Sequence, residues 1–424
     1  MSTTSRETQK IITALERAKS LEQHAEQVRP LDPGAYDPQG IPTEEPFSKT
    51  GQDLRLSDIR ARLGKELPNL SSSVPFAQHE RLKGNIENFI GMAQVPVGIA
   101  GPLLIRGLHA QGHFHVPLAT TEGALVASYS RGMKATGLSG GVSAVCLTEG
   151  VQRSPYFKFG RLDEAGRFVG WLMGEIEAFE RIVAATSRHA RLLDLQPHIE
   201  GNSVILTFEY TTGDASGQNM VTLCTNAICK DIVARCPLKP EAWYVESNYS
   251  GDKKATALSF SSGRGRKVVS ECVLLKDVVA KVLKSTPQAM ADYWQASTLA
   301  VVQSGAIGAQ GHVANGLAAL FIACGQDAAC VAESATGITR MQVTDEGDLY
   351  VALTLPNIMV GTVGGGTGLP TQRECLELLD CFGEGKAKKL AEITAATALC
   401  GEISIAAALS AGHFSDAHKT LGRK

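Results

Sequence analysis

Apolar residues recur at two spacings along the chain, one typical of amphipathic helices and one typical of buried strands. Residues 5–28 have helical spacing with abundant charge, and residues 53–67 repeat that pattern. A proline-rich connector, residues 30–46, lies between them and is too irregular for a helix. We therefore predict a small helical N-terminal domain over residues 1–85.

The rest of the chain predicts one large domain that is interrupted by a smaller one. Residues 86–154 alternate apolar strands with glycine turns and then enter a helix at TTEGALVASYSRGMKATGL. Residues 155–244 alternate helix-rich and strand-rich pieces, which is typical of a small inserted α/β domain. The large domain then resumes over residues 245–410. The predicted fold class is α+β.

The large domain is predicted to be built around a long central helix. Residues 286–335 are rich in Ala and Gly and apolar on most faces, so we expect a long helical region buried at the domain centre. A strand at residues 348–363 and a final Ala-rich helix ending at Gly412 follow. The polar residues 411–424 are predicted to form a mobile tail.

Composition narrows the classes of protein and of partner. Apolar residues make up 44% of the 424 residues, charged residues make up 20%, and the net charge is −2, as in ordinary soluble globular proteins. We therefore expect no nucleic-acid partner and no membrane association. The N-terminus lacks the apolar core of a signal peptide, and the apolar runs are too short to span a bilayer. These features predict a cytoplasmic protein.

The cysteines and the missing motifs exclude several chemistries. Ten cysteines lie mostly in apolar segments without a CxxC pair, so we expect reduced thiols and no metal site. The sequence has no HExxH, no Walker A motif and no GxGxxG fingerprint. Metalloprotease, P-loop and classical Rossmann interpretations therefore have no support.

Asp252, Lys253 and Lys254 place two cations on a polar loop between two apolar segments. An ammonium in such a loop can stabilise an oxyanion that forms on a carbonyl in the transition state. A solvated surface turn is the simpler interpretation of these three residues taken alone.

Two carboxylates stand at predicted helix boundaries. Glu122, in TTEG, opens an apolar helix, where an exposed Glu suits the helix dipole but a buried one would donate a proton near neutral pH. Asp327, in GQDAA, ends a long apolar helix, where the dipole is unfavourable and a buried Asp would need a cationic partner. Simple exposure is the alternative at both positions.

Two loops and three polar residues add candidate chemistry. GDASGQN, residues 213–219, joins a strand to a helix and suits a phosphate, although an ordinary strand–turn–helix junction also explains it. GTVGGGTG, residues 361–368, is a flexible turn. His312 and Asn315 share one face of the central helix, where a histidine usually has a structural role. His418 lies in the tail and could reach a site as an acid.

Seven sequence blocks together resemble the 3-hydroxy-3-methylglutaryl-coenzyme A reductase family. In the family's order over residues 85–420, they are ENFIGMAQVPVGIAGPL, PLATTEGALVASYSRG, GDASGQNMVT, SNYSGDKKATA, GQDAA, LYVALTLPNIMVGTVGGGTGLP and AALSAGHFSDAH. The chain is similar to the class I branch without its membrane anchor. The resemblance implies a ferredoxin-like inserted domain and an active site between subunits, hence at least a homodimer.

The resemblance implies roles for four catalytic residues. Lys253 would stabilise the oxyanion of a hemithioacetal and then polarise an aldehyde. Glu122 would donate a proton, and Asp327 would bridge Glu122 and Lys253 and tune both. His418 would protonate the departing coenzyme A thiolate. Two hydride transfers from a nicotinamide cofactor would convert a thioester to an aldehyde and then to an alcohol.

The resemblance also implies binding residues. NADPH is favoured over NADH because Arg188 and Arg423 match arginines near the adenosine 2′-phosphate. The other residues that match the cofactor site and its glycine turn are Asp214, Ser216, Gly217, Gln218, Asn219, Gly364 and Gly365. Those that match the site for the acyl group and its coenzyme A are Arg131, Arg153, Glu246, Asp252, Lys254, His312 and Asn315.

Two positions depart from the family pattern at the substrate's terminal carboxylate. Glu246 stands where the family has a serine, and Gln295 stands where it has a carboxylate-binding lysine. Losing a cation and adding an anion weakens binding of an acyl chain that ends in a carboxylate. The main hypothesis is reduction of 3-hydroxy-3-methylglutaryl-coenzyme A to mevalonate. The alternatives are the same chemistry on another acyl thioester and a non-catalytic homologue.

Overall fold

A computed structural model of the protein describes residues 5–412 apart from 33, 35–39, 41, 43–47, 72–81, 83 and 87–91. The described residues contain thirteen α-helices. In chain order, α1 to α13 are Ser5–Glu16, Leu21–Val28, Lys49–Leu63, Leu125–Leu138, Leu162–Met173, Ile176–Thr186, Gln218–Arg235, Lys276–Val278, Pro287–Ser304, Val313–Ala323, Val331–Ser334, Pro370–Leu378 and Ala387–Ser410.

Ten strands within the described residues form one continuous sheet. In chain order, β1 to β10 are Val97–Gly107, Gln111–Ala119, Val142–Arg153, Tyr156–Lys158, Arg191–Glu200, Ser203–Thr211, Ala242–Tyr244, Gly265–Leu274, Ile338–Val343 and Leu349–Ile358. Along the sheet the order is β7-β4-β6-β3-β8-β10-β9, with β1 paired to β2 and β3, and β5 paired to β6. The β1–β3 pair is parallel and the other pairs are antiparallel.

Strand β3 joins the two parts of this sheet. Most of β3 pairs with β8, while its last three residues, from Val151 to Arg153, pair with β6. After β3 the elements follow the order β4-α5-α6-β5-β6-α7-β7, which is the βαββαβ order of a ferredoxin-like unit. Arg153 therefore stands at the junction between this inserted unit and the larger sheet.

Helix α13 is the buried centre of the larger part of the fold. It contacts α4, α9 and α10 and also lies against β3, β8 and β10. Within the described ranges it is the one helix long and apolar enough to cross a membrane, yet 83% of its apolar stretch is buried inside the protein. It approaches α4 so closely that a Cβ at Gly132 would lie 1.9 Å from the carbonyl oxygen of Cys400. Only glycine fits at that crossing.

Two buried glutamates on α13, Glu392 and Glu402, accept backbone hydrogen bonds from loops around the helix. Burial raises the pKa of each carboxyl to about 7, against the opposing effect of these hydrogen bonds. The N–H donors are His109, Ala110 and Cys146 for Glu392, and Gly311, His312 and Val313 for Glu402.

Residues 286–335 do not form one long buried helix, so that prediction was wrong. Helix α9 ends where Gly305 adopts a left-handed backbone (φ 71°), and Met290 is its one buried residue. Helix α10 begins eight residues later and is mostly buried. The central buried helix is α13. The predicted helical stretch 5–28 is likewise two helices, because Ser20 caps the start of α2.

Candidate active site

Lys253 is held on its loop by its backbone and by its side chain. It has a left-handed backbone (φ 57°), an uncommon conformation for a residue with a side chain. Its N–H donates to Glu333 Oε1 at 3.2 Å, and its Nζ lies 2.8 Å from Asp327 Oδ2. The hydrogen bond to Asp327 raises the pKa of Lys253, against the opposing effect of burial. The neighbouring Lys254 is exposed, and its Nζ donates to the carbonyl oxygen of Asp252 at 2.9 Å.

Asp327 holds the Lys253 ammonium from the segment after α10. Helix α10 ends at Ala323, and Asp327 then caps the 3-10 turn Ala328–Cys330, with Oδ1 accepting from the Ala329 N–H at 3.0 Å. The expected position at a helix C-terminus was therefore wrong. Asp327 stands at the start of a turn, where a carboxylate is favourable. Its side chain is 39% exposed, and that of Lys253 is 45% exposed.

Glu122 and Asn315 form a second polar pair. Glu122 is exposed in the turn before α4, and its N–H donates to Thr120 Oγ1 at 3.0 Å. Asn315 Nδ2 donates to both carboxylate oxygens of Glu122 at 3.1 Å. Within the part of the chain that the structure describes, no hydrogen bond or ion pair joins Glu122 to Lys253 or Asp327. A single chain thus brings these residues together as two pairs and not as one bridge.

Arg153 is buried between two carboxylates, next to the lysine loop that carries Asp252, Lys253 and Lys254. Its Nη1 donates to Asp252 Oδ2 at 3.0 Å and to Glu246 Oε2 at 3.1 Å. Its Nη2 lies 3.4 Å from Gln218 Oε1, so the inserted unit also contacts this guanidinium. Burial raises the pKa of Asp252, but the charges of Arg264 and Arg153 outweigh it and hold that pKa below its usual value.

Sequence reasoning missed a buried ion pair under the same loop. Arg264 Nη1 donates to Glu333 Oε2 at 2.6 Å, and both side chains are almost fully buried. Burial raises the pKa of Glu333, although Arg264 opposes this shift. Because Glu333 also accepts the Lys253 N–H, the pair anchors the lysine loop. The available signal was an arginine between two glycines in GRGRK, but nothing in the sequence joins it to a glutamate 69 residues away.

His312 and Arg131 are held inside the fold. The His312 ring packs against Tyr129 with the ring centroids 4.8 Å apart, and burial lowers its pKa to about 4, so it is neutral at neutral pH. Its Nε2 is buried without a hydrogen-bond partner within the described part of the chain. Arg131 donates from Nη2 to the Ser404 carbonyl at 2.6 Å and from Nε to Ser404 Oγ at 3.0 Å. These two donors bind α13.

The GDASGQN loop joins β6 to α7, as the sequence predicted. Gly217 precedes the helix with φ 82°, and no side chain caps the helix start. Asp214 fastens the loop to the larger part of the fold, since its carboxylate accepts from the N–H groups of Gly385 at 2.7 Å and Ala387 at 3.0 Å. An uncapped helix start at a glycine is a candidate phosphate site.

The glycine turn GTVGGGTG lies beside this loop. A Cβ at Gly361 would stand 2.5 Å from the backbone nitrogen of Ser216, so the two backbones can approach only because residue 361 is glycine. Gly364 and Gly365 are exposed and have positive φ angles of 74° and 55°. Asn219, in the first turn of α7, is also exposed. The glycine turn and the start of α7 are therefore neighbours in the fold.

Of the remaining predicted residues, two are exposed and two lie outside the described residues. Arg188, just before β5, is exposed, and its guanidinium has no hydrogen-bond or ion-pair partner among the described residues. Gln295 lies exposed on α9. His418 and Arg423 fall outside the described residues. Across the described ranges, no group of three or more His, Cys, Asp or Glu side chains could hold a metal ion.

The chain is similar to known proteins over most of its length. Residues 52–423 match the family model described as hydroxymethylglutaryl-coenzyme A reductase. The 3-hydroxy-3-methylglutaryl-coenzyme A reductase of Aeropyrum pernix is 44% identical over 380 residues, which cover 85% of this chain and 86% of that protein. The protein of the same name from Pyrococcus abyssi is 41% identical over 381 residues, covering 88% of this chain and 92% of that protein.

A solved structure shares the fold. The class II 3-hydroxy-3-methylglutaryl-CoA reductase from Streptococcus pneumoniae, bound to NADPH in open conformations, superposes with a TM-score of 0.68. The match covers 87% of this chain and 100% of that chain at 18% sequence identity. At this identity the likeness is one of fold.

Proposed function

The chain belongs to the hydroxymethylglutaryl-coenzyme A reductase family, and we propose that it is an NADPH-dependent reductase of a coenzyme A thioester. The relatives are named 3-hydroxy-3-methylglutaryl-coenzyme A reductases. The first reaction we propose is therefore the four-electron reduction of 3-hydroxy-3-methylglutaryl-coenzyme A to mevalonate and coenzyme A. The observation that carries the proposal is the half-exposed ammonium of Lys253, held 2.8 Å from Asp327. A cation fixed in this way is available to a substrate carbonyl.

Lys253 acts on the oxygen of the thioester carbonyl. Each hydride that reaches the carbonyl carbon moves an electron pair onto this oxygen, and the ammonium stabilises the resulting charge. The carbon–sulfur bond breaks after the first transfer, and we assign His418 to protonate the thiolate. Glu122, oriented by Asn315, supplies the proton to the final alkoxide. The products are a primary alcohol and the thiol of coenzyme A.

We assign the start of α7 to the pyrophosphate of NADPH and Arg188 to its 2′-phosphate. The uncapped N–H groups and the dipole of α7 suit a pyrophosphate, and the unpartnered guanidinium of Arg188 suits a 2′-phosphate. Bound NADPH supplies the two hydrides of each turnover. Asp214 acts as a positioning residue, because both its carboxylate oxygens already accept backbone N–H groups.

The active enzyme is at least a homodimer whose site is completed between subunits. In one chain Glu122 is exposed and Lys253 and Asp327 are half-exposed, so the site is open to water. Leu299 and Val302 on α9 are 62% and 75% exposed, and a second copy would bury them. Light scattering on the purified protein measures this, and a fully active monomer would contradict it.

The protein belongs in a reducing compartment, which we propose to be the cytoplasm. All ten cysteines are free thiols, and all of them are buried. Cysteine usage of this kind is typical of reducing compartments, where disulfides are rare.

Steady-state kinetics tests the proposed reaction. Purified protein is given NADPH and 3-hydroxy-3-methylglutaryl-coenzyme A, and both NADPH oxidation and release of free thiol are followed. We expect two molecules of NADPH consumed for each thiol released. NADPH oxidation without thiol release, or a one-to-one ratio, would contradict a four-electron reduction.

A second candidate keeps this chemistry and changes the acyl group. The carboxylate of Glu246 beside Arg153 supports it, because an internal anion competes with a substrate carboxylate. A non-catalytic homologue is the remaining alternative. It would bind NADPH or coenzyme A thioesters but oxidise NADPH with none of them.

A further inference from the structure

The carboxylate of Glu246 is bound by four donors of its own chain. Its Oε2 accepts from Arg153 Nη1 at 3.1 Å, from Ser250 Oγ at 3.1 Å and from the Ser154 N–H at 3.3 Å. Its Oε1 accepts from the Asn248 N–H at 2.7 Å. A guanidinium, a hydroxyl and two backbone N–H groups make a complete carboxylate-binding site. In this chain that site is filled from within.

The filled site shares its arginine with the lysine loop. Arg153 Nη1 donates both to Glu246 and to Asp252, the residue directly before Lys253. Glu246 and Asp252 therefore stand at the two ends of one short loop, and both bind Arg153. In the proposed reaction Lys253 contacts the thioester carbonyl, so Glu246 stands seven residues before the residue that meets the substrate.

Both buried guanidinium groups around Arg153 already have carboxylate partners. Two buried guanidinium groups face three carboxylates, so the cluster already holds one excess negative charge. The Lys253 ammonium is paired with Asp327, and the Lys254 ammonium lies outside the buried cluster, where it is exposed and donates to the carbonyl oxygen of Asp252. Residues 285–339, which include α9 and α10, contain no lysine or arginine. The members of the cluster are Arg153, Arg264, Glu246, Asp252 and Glu333.

We infer that this chain acts on a coenzyme A thioester whose acyl group has no terminal carboxylate. Glu246 satisfies Arg153 and repels a second anion, so an acyl chain without a charge at its end is the class that fits. The inference rests on the proposed reductase function and selects between its two acyl candidates. The reaction itself is unchanged, since two hydrides and two protons convert the thioester to a primary alcohol and the thiol of coenzyme A.

Two thioesters that differ at the chain end test the inference. 3-Hydroxy-3-methylglutaryl-coenzyme A carries the terminal carboxylate, and 3-hydroxy-3-methylbutyryl-coenzyme A keeps the hydroxyl and the branch without it. We expect the wild-type protein to favour the neutral thioester in kcat/KM by at least about tenfold. Glu246→Ser removes the carboxylate that occupies Arg153, so it should raise the ratio of kcat/KM for the anionic thioester to kcat/KM for the neutral one by a similar factor.

Two further variants serve as controls for misfolding and for nonspecific effects of removing a charge. Glu246→Gln keeps the shape of the side chain and removes its charge, so it should shift the preference in the same direction as Glu246→Ser. Glu241→Gln changes a half-exposed acid that pairs with Lys158 on the inserted unit, and it should leave the preference unchanged. Thermal melts of all variants report whether they fold.

The outcomes separate this inference from the proposed function. Equal or better use of the anionic thioester by the wild-type protein would overturn the inference and leave the reductase proposal standing. An unchanged preference in both Glu246 variants would also overturn it. Reduction of neither thioester would contradict the reductase proposal. In that case calorimetry can measure the affinity of the protein for each thioester and still test the role of Glu246. Tighter binding of the anionic thioester is incompatible with that role.

Discussion

Replacing Lys253 by alanine should affect catalysis and stability by very different amounts. The Lys253 ammonium is 45% exposed, so water screens its ion pair with Asp327 despite the 2.8 Å distance. Removing an exposed pair of this kind costs about 0.2–1 kcal/mol of unfolding free energy. Such a loss lowers the melting temperature by at most about 4 °C in a large domain. The Lys253 N–H bond to Glu333 belongs to the backbone and survives the substitution.

The expected catalytic loss is much larger. Removing one group that stabilises an oxyanion raises the barrier by about 2.7–4 kcal/mol, which lowers kcat by roughly 10²–10³-fold. The substituted side chain does not contact the start of α7 or Arg188, so NADPH affinity should stay within about threefold of the wild-type value. A catalytic loss of this size beside a small loss of stability would distinguish a catalytic role of Lys253 from a structural one.

Three measurements on matched variants check this prediction: NADPH oxidation, thermal melting and NADPH titration. Lys158→Ala is the control, because Lys158 is 46% exposed and lies 3.2 Å from Glu241 in a comparable ion pair. It should lose a similar small amount of stability and keep full activity. An activity loss below about tenfold in the Lys253 variant would refute the oxyanion role. Activity and NADPH binding that disappear together would indicate a structural role.

Three further predictions follow from other charges. Arg188→Ala should raise the KM for NADPH by about tenfold and leave that for NADH unchanged, because only NADPH carries the 2′-phosphate. Glu402 has a pKa raised from 4.5 to about 7, so its stabilising contribution is present below pH 4.5 and is lost as pH rises through 7. The melting temperature of Glu402→Gln relative to wild type should therefore increase between pH 5 and pH 8, by the equivalent of about 3 kcal/mol. Arg264→Met leaves the buried Glu333 carboxylate uncompensated and should cost about 3–5 kcal/mol, lowering the melting temperature by on the order of 10 °C.

Each of these has a result that would contradict it. Equal effects of Arg188→Ala on both cofactors would exclude a 2′-phosphate contact. A melting difference between Glu402→Gln and wild type that does not vary with pH would mean that the carboxyl keeps one protonation state from pH 5 to pH 8. For Arg264→Met, adding Glu333→Leu should recover part of the stability, because it removes the uncompensated Glu333 carboxylate while Asp252 keeps Arg153 and the Lys253 N–H loses its acceptor. A double variant as unstable as the single one would contradict an uncompensated charge as the cause.

Contacts between site residues could be predicted from the sequence where both residues belong to a motif of the family. The family resemblance implied that Asp327 bridges Lys253 and Glu122. Asp327 pairs with Lys253 at 2.8 Å, whereas Glu122 is bound by Asn315. The prediction that GDASGQN opens a helix is confirmed, since α7 begins at Gln218. The length of the helix in the Ala- and Gly-rich segment was predicted wrongly. Small residues indicate that backbones pack closely, but they do not indicate where a helix ends. Left-handed backbones at Gly305 and Gly308 end α9 and separate it from α10.

The partners of buried charges could not be predicted from the sequence. Glu246 was recognised as a departure at the carboxylate position, but its bond to Arg153 spans 93 residues and depends on how β3 enters the inserted unit. The pair of Arg264 and Glu333 lies in two segments without a shared motif. Such pairs form when the fold buries two segments that are distant in sequence against each other. Away from water, each charge is then stabilised by the opposite charge.

The two buried glutamates of α13 also determine where that helix stands along its own axis. An Ala-rich helix presents nearly the same surface after each turn, so apolar packing alone tolerates a slide of one turn, about 5.4 Å. Glu392 and Glu402 lie about 15 Å apart along the axis, and each accepts N–H groups from a different loop, so a slide would break both sets of bonds. Because Glu402 binds the start of α10, the axial position of α13 sets where Asn315 meets Glu122. Substitutions deep in this helix can therefore shift the alignment of a surface carboxylate while leaving the core equally apolar.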